Sequence, residues 1–250
     1  MLETINDVIK ESWKIFNEGE VEREFELITS LEEKENLSRE EDLRCQIAKG
    51  MYNFYMGNYN ETIKIGEIAY KESLKQNKPL LAIDALFVAN GGYLMLNRIW
   101  EVRSYFTLCE ELLKSAIHEE PSKIKQRESY IYLMKGNIKE ITGELNIAIE
   151  YYKRAFKISE EYDTLYFSRP WCQFRLGNAL TVKGEYELAL NSFHRALTYM
   201  KGNSTLINMQ KAGNFHNTVY IKLLQGDLDE SKRLNEKSLE TLLNFSETPI

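Results

Sequence analysis

The chain has 250 residues, of which 43% are hydrophobic and 28% are charged, and its formal net charge is −6. This composition is typical of a chain with its own apolar core, and no stretch approaches the ~20 apolar residues that span a membrane. The negative charge argues against general nucleic-acid binding, which requires a basic face. Three widely separated cysteines predict buried free thiols in a reducing cytoplasm, rather than disulfides or a metal site.

A turn signal returns six times along the chain, at intervals of 38 to 46 residues. It consists of five glycines and one asparagine: Gly19, Gly57, Asn97, Gly143, Gly184 and Gly226. These residue types most easily adopt the left-handed backbone conformation through which a chain leaves a helix. A fixed period of this length predicts an array of helical repeats that stack on one another.

The segments between these turns predict twelve helices in six antiparallel pairs, with no strand. In chain order the predicted helices are 2–17 and 20–34, 38–56 and 59–76, 79–96 and 98–116, 121–142 and 144–161, 164–183 and 186–200, and 204–225 and 228–245. The pairs define repeat units 1–36, 37–77, 78–118, 119–162, 163–202 and 203–246 within a single domain, 1–250.

Local signals support these boundaries. Ser38 and Glu41 have the spacing of a capping box at a helix start. Proline, which suits the first turn of a helix, stands near the start of three units at Pro79, Pro121 and Pro170. Residues 1–44 hold 14 acidic and 6 basic side chains, which we interpret as a solvated face; a docking surface for a basic partner, or an acidic appendage outside the array, is the alternative.

Within a unit, the second helix carries an apolar stripe with small residues beside it. Tyr186, Leu190, Phe193 and Leu197 recur at three- and four-residue steps, and Ala189 and Ala196 leave room for a neighbouring helix. The preceding unit repeats the arrangement with Leu145, Ala148, Ile149, Tyr152 and Ala155.

These residues resemble the tetratricopeptide repeat (TPR) family, in its longer-helix variety. The best match consists of Leu176, Gly177, Leu180, Gly184, Tyr186, Ala189, Phe193 and Ala196. The sequence departs from the pattern at Asn97, at Ser231 and Ser238, and at Trp171, which lies two places before the usual aromatic. The resemblance covers nearly the whole chain and implies an all-α fold, a right-handed α-solenoid of about six antiparallel helix pairs (a TPR-like superhelix).

The same resemblance implies a binding groove lined by the first helix of each pair. Its positions correspond to Tyr130, Leu133, Met134, Asn137, Trp171, Phe174, Arg175, Asn178, Gly213, His216, Asn217 and Tyr220. The asparagines offer donors and acceptors to a peptide backbone, Arg175 suits a carboxylate, and the aromatic rings supply rigid contact area. The alternative is that Trp171 and Phe174 are core residues.

Catalytic motifs are missing from the sequence, which has no phosphate-binding glycine loop, HExxH motif or cysteine pair. The three histidines fall in three different units. We therefore expect a non-enzyme with no cofactor and no metal site.

The leading functional hypothesis is a cytoplasmic scaffold that binds a peptide or helix of another protein, and neither nucleic acid nor a membrane. One alternative is a regulatory domain that senses a ligand or peptide. The other is a structural element that self-associates through the C-terminal helix, where Leu239, Leu242, Leu243 and Phe245 cluster.

Overall fold

A computed structural model of the protein describes Glu11 and residues 21–32, 37–162, 168–200 and 205–243. Over these residues the chain is helical and contains no strand. The helices in the described ranges are α1 (Val21–Glu32), α2 (Arg39–Tyr55), α3 (Tyr59–Lys75), α4 (Pro79–Met95), α5 (Ile99–Ser115), α6 (Pro121–Ile141), α7 (Leu145–Glu161), α8 (Ser168–Val182), α9 (Tyr186–Tyr199), α10 (Thr205–Leu224) and α11 (Leu228–Leu243). The predicted all-α class is thereby confirmed.

The predicted helix boundaries agree with these helices to within two residues wherever the structure describes both sides of the boundary. Both ends of α1, the starts of α8 and α10 and the end of α11 adjoin residues outside the described ranges. The predicted helix 2–17 also lies outside them, apart from Glu11, and so does Gly19.

The turns inside the helix pairs have the predicted left-handed backbone. Gly57, Gly143, Gly184 and Gly226 have φ angles of 78° or 79°, and Asn97 has a φ of 56°. Each lies between the first and second helix of a pair. The sequence did not single out Asn77, which has a φ of 53° in the turn between α3 and α4.

The helix starts follow the local signals. The Ser38 N–H donates to Glu41 Oε2 at 2.8 Å, and the Glu41 N–H donates to Ser38 Oγ at 3.3 Å, which completes the capping box of α2. Pro79 and Pro121 are the first residues of α4 and α6, where a missing N–H leaves no helical hydrogen bond unmade. Pro170 is the third described residue of α8.

The first of two compact units comprises Met1–Ile131. In it α2 packs against α3 and α4, and α4 also packs against α3 and α5. Every residue from 80 to 90 of α4 is buried, so this helix forms the centre of the unit's core. Cys45 and Cys109 are buried and form no disulfide here, and the same holds for Cys172 in the second unit, which confirms the predicted burial of the three thiols.

The second compact unit comprises Tyr132–Ile250, in which successive helices from α7 to α11 pack in pairs and α8 also contacts α10. The predicted small positions are fully buried: Ala148, Ala155, Ala189 and Ala196. A Cβ added to Gly177 of α8 would lie 2.5 Å from the Phe193 ring of α9. The glycine therefore lets the aromatic ring of the second helix lie directly against the first. That the six repeat units form one domain stays a prediction.

Candidate binding surface

One stripe of α8 carries four of the predicted binding residues: Trp171, Phe174, Arg175 and Asn178. Their three- and four-residue spacing places them on the same side of the helix. All four are partly exposed, whereas the intervening Cys172 and Leu176 are buried. The helix thus turns one polar and aromatic face outward and an apolar face toward the core of the second unit.

The neighbouring helix α10 contributes His216, Asn217 and Tyr220, also on one stripe. His216 is exposed, and Tyr220 is 53% exposed. Asn217 Nδ2 donates to Asn178 Oδ1 at 2.9 Å, and this bond joins the two helices at the middle of the face. We call these three residues and the four on α8 the candidate surface.

The aromatic side chains of α8 belong partly to this surface and partly to the core. The Trp171 and Phe174 rings stack with their centroids 5.4 Å apart. Phe174 also packs 6.0 Å from the ring of Phe193 and against the buried cluster that includes Ala196. Phe174 is therefore a core residue in part: it packs against the core through Phe193, and it also stacks with Trp171 at the surface.

Arg175 is held by partners inside the second unit. Its Nε donates to Asn137 Oδ1 at 2.9 Å, and its Nη2 lies 3.2 Å from Glu140 Oε2. The Tyr152 hydroxyl lies within hydrogen-bond distance of the same two groups, 3.0 Å from Asn137 Oδ1 and 2.5 Å from Glu140 Oε2, and its one proton is shared between them. Burial raises the pKa of Tyr152, which keeps the phenol protonated and able to donate. The carboxylate facing Arg175 in this structure is thus Glu140, from the same chain.

Asn137 and Tyr130 have surroundings different from those of the candidate surface. Asn137 is only 7% exposed, and its amide oxygen is already shared by Arg175 and Tyr152. Tyr130 belongs to the first unit, where its ring centroid lies 4.2 Å from that of Phe87. Their roles in binding stay predictions.

Three of the four equivalent positions in α4 are closed. Counting back from Asn97 by the offsets that relate the α8 residues to Gly184 gives Asp84, Phe87 and Val88, each 1% exposed, and Gly91, which is partly exposed. Arg127 donates to both Asp84 oxygens, from Nε at 3.0 Å and from Nη2 at 2.5 Å. Of the positions compared in α4, α8 and α10, those in the second unit are the more open ones.

Sequence reasoning missed four exposed apolar side chains that extend the two stripes: Val182 on α8, and Met209, Leu223 and Leu224 on α10. They are between 50% and 70% exposed. Helical periodicity could have found them, because each lies three, four or seven residues from a predicted position. It could also have found Glu140, which lies three residues after Asn137.

Two further observations concern the described residues. No group of three or more His, Cys, Asp or Glu side chains among them is placed to hold a metal ion. None of the helices they form is both long and apolar enough to cross a lipid bilayer.

The packing of successive antiparallel helix pairs defines a helical repeat protein, and solved structures identify the type. A Rap protein complexed with competence and sporulation factor has a TM-score of 0.65 at 14% identity, covering 96% of this chain and 66% of its own. BtubC from P. vanneervenii has a TM-score of 0.61 at 12% identity, and the match covers 99% of this chain and 94% of BtubC. The TPR-like repeats of a putative kinesin light chain from Podosopora anserina, which are nearly identical to one another, have a TM-score of 0.54 at 14% identity. The match covers 85% of this chain and 100% of that one.

These similarities show that the fold is a TPR-like helical repeat, which confirms the resemblance predicted from the sequence. No protein-family model matches the sequence, and no curated protein matches it. The chain spans about two thirds of the length of the Rap protein.

Proposed function

We propose that this protein is an interaction module that holds a peptide or a helix of a partner protein on the candidate surface. The observation that carries the proposal is the open face of α8 and α10, since three of the four equivalent positions of α4 are buried. An exposed stripe of aromatic and amide side chains on a rigid helical scaffold is typical of a protein-binding site, because such side chains lose little entropy on binding.

The TPR-like fold supports this proposal. The Rap protein with a TM-score of 0.65 was solved in complex with competence and sporulation factor. By analogy we place a partner of this chain on the first helices of the repeat pairs, where the candidate surface lies. Helical repeat arrays characteristically bind along such extended faces.

Each part of the candidate surface has a role in the proposal. Trp171 and Tyr220 provide the anchoring contact area, one on each helix. Asn178 and Asn217 keep unused donors and acceptors beside their mutual bond, and these suit the backbone of an extended segment. Arg175 positions its neighbours through Asn137 and Glu140.

The proposal also covers activity and location, on the evidence of the sequence. We infer a non-catalytic protein, because the sequence carries no catalytic motif. We infer a cytoplasmic protein, because three cysteines that form no disulfide suit a reducing compartment.

The test is affinity capture from a lysate of the source organism, with the wild-type chain and Trp171→Ala/Tyr220→Ala side by side. These two residues are chosen because both are accessible and neither joins the Arg175 network, whose loss would disturb packing. We expect a partner that the wild-type chain retains to bind the double variant at least roughly tenfold more weakly, as for removal of anchor residues.

Trp100→Ala is the matched control, since Trp100 is 79% exposed and lies on α5 in the first unit. It should retain the partner like the wild-type chain, and circular dichroism should show all three proteins equally helical. A partner retained equally by the wild-type chain and the double variant would refute the assignment of the surface.

Self-association through α11 is a second candidate function, favoured by a separate observation. Leu239, Leu242 and Leu243 are 51%, 42% and 63% exposed and fall on one face of that helix. An exposed apolar strip of this kind is typical of an interface.

A further inference from the structure

The second unit contains an open cleft between α9, α10 and α11, with a volume of about 1170 Å³. Four basic side chains line it: Lys211, Lys222, Arg233 and Lys237. We call this feature the basic cleft. It is separate from the candidate surface, because at about 100° per residue Lys211, Phe215 and Lys222 share one side of α10, whereas Tyr220 lies about 180° from Lys211.

The floor of the basic cleft is apolar. Phe215 and Leu234 line it and are each 8% exposed, and they form a cluster with Val219 against which Leu197 packs. An apolar floor below charged walls matches a ligand that has one apolar side and one charged side. A helix with two distinct faces has this chemistry.

The walls carry an excess of positive charge. Among the described residues that line the cleft, Glu230 is the only carboxylate, and it forms a two-point ion pair with Arg233 at 2.6 and 2.7 Å. Lys237 Nζ lies 4.8 Å above the Phe215 ring, which positions an ammonium group directly over the floor. In a chain with a net charge of −6, this is a local reversal of sign.

The register of α10 and α11 distributes these charges along the cleft. The Ser238 hydroxyl donates to the Ala212 carbonyl at 3.2 Å, so Lys237 lies near the Lys211 end of α10. Because the two helices are antiparallel, Arg233 lies toward the Lys222 end. Positive side chains therefore line both ends of the apolar floor, and at the Lys222 end they are partly balanced by Glu230 and by Asp227, whose Oδ2 lies 3.8 Å from Lys222 Nζ.

The size of the basic cleft indicates the class of ligand. Lys211 and Lys222 are eleven residues apart on α10, which corresponds to about 16 Å, or three helical turns. The volume exceeds the roughly 300–1,000 Å³ of typical small-molecule pockets. A short helical segment of a protein fits both the length and the open shape.

We propose that the basic cleft binds an acidic amphipathic helix of a partner protein, with apolar side chains on Phe215 and Leu234 and carboxylates facing Lys222 and Lys237. Nucleic acid is the less suitable ligand. Phe215 is the only Phe, Tyr or Trp among the described residues that line the cleft, whereas single-stranded nucleic acid is bound by several aromatic rings that stack on successive bases.

The experiment uses a fluorescein-labelled peptide of about 16 residues, long enough to become helical on binding, with leucines at three- and four-residue steps and glutamates elsewhere. Fluorescence anisotropy measures its binding to the full chain. We expect saturable binding that weakens as salt rises, and at least roughly tenfold weaker binding to Lys222→Glu/Lys237→Glu, because like charges then face each other. The same peptide with glutamine in place of glutamate should bind at least roughly tenfold more weakly to the wild-type chain.

Lys157→Glu/Lys232→Glu is the matched control, since both lysines are exposed on α7 and α11, outside the cleft lining, and the net charge changes equally. It should bind the acidic peptide like the wild-type chain, as should Trp171→Ala/Tyr220→Ala. Absence of binding by the wild-type chain, or equal binding by the cleft variant and the control, overturns the proposal. Tighter binding of a single-stranded DNA of similar length, lost in the cleft variant, overturns it in favour of nucleic acid.

Discussion

A substitution at Gly184 would lower the free energy of unfolding only through strain in the backbone. Its φ is 78°, and an added Cβ would meet no atom within 4 Å. We expect Gly184→Val to lower the free energy of unfolding by about 1–2 kcal/mol, and Gly184→Asn by clearly less. Asparagine already takes this conformation at Asn97, in the equivalent turn between α4 and α5. Urea denaturation measures both variants, and equal losses would contradict the explanation.

Glu24 makes the stability of the first unit depend on pH. The residue is 2% exposed, and burial raises the pKa of its carboxyl from 4.5 to about 8. Since the folded pKa lies above the unfolded one, the folded state holds the proton more tightly. The stability contributed by the protonated carboxyl is complete below about pH 4.5, and it is lost as the pH rises through about 8.

We therefore expect Glu24→Gln, which cannot ionise, to gain stability relative to the wild-type chain as the pH rises. Thermal unfolding between about pH 5 and pH 8 measures the difference in Tm at each pH. Glu26→Gln, at an exposed position on the same helix, serves as the control. A difference in Tm between Glu24→Gln and the wild-type chain that stays constant with pH would refute the assignment.

At the scale of elements, a buried ion pair joins α4 to α6 within the first unit. Asp84 is 1% exposed and Arg127 is 7% exposed, and they form two hydrogen bonds. We expect Arg127→Met to cost about 3–5 kcal/mol of unfolding free energy, because the Asp84 carboxylate is left buried without its cation. The double variant Asp84→Leu/Arg127→Met should recover most of that loss. Chemical denaturation of both variants tests this, and a double variant as unstable as the single one would contradict it.

The helix pairs could be predicted from the sequence because their turns need a left-handed residue, and this need restricts the residue type. Gly57, Gly143 and Gly226 are found in the predicted conformation for that reason. The alanines beside an aromatic residue likewise marked buried positions of α9, since Ala189 and Ala196 are fully buried. Such signals depend only on residues that are close together in the chain, so a single sequence is enough to recognise them.

The candidate site could be predicted only in part. The stripes on α8 and α10 follow from helical periodicity, but periodicity does not reveal which stripes other helices cover. Phe87 and Phe174 occupy equivalent positions, yet Phe87 is 1% exposed while Phe174 is partly open. The contact between Arg175 and Asn137 could not be predicted either, because the two residues are 38 positions apart and no local spacing links them.

At the scale of the whole molecule, the distribution of charge sets the kinds of partner that the proposals allow. Residues 1–44 carry a net charge of −8, from 14 acidic and 6 basic side chains, while the remaining residues carry +2. The basic cleft lies in the second unit, in the part of the sequence with the positive excess. Binding there should weaken with salt, whereas binding through apolar contacts should not.

This contrast makes self-association through α11 testable on its own. Leu239 and Leu243 are four residues apart and exposed, and burying them between two copies would be driven by the hydrophobic effect. We expect light scattering to show a mass that rises with concentration and persists at high salt, and Leu239→Lys/Leu243→Lys to remain monomeric. Leu74→Lys/Leu96→Lys, which changes exposed leucines in the first unit, should still associate. A wild-type chain that stays monomeric at all concentrations, or association that salt abolishes, would exclude an apolar interface on α11.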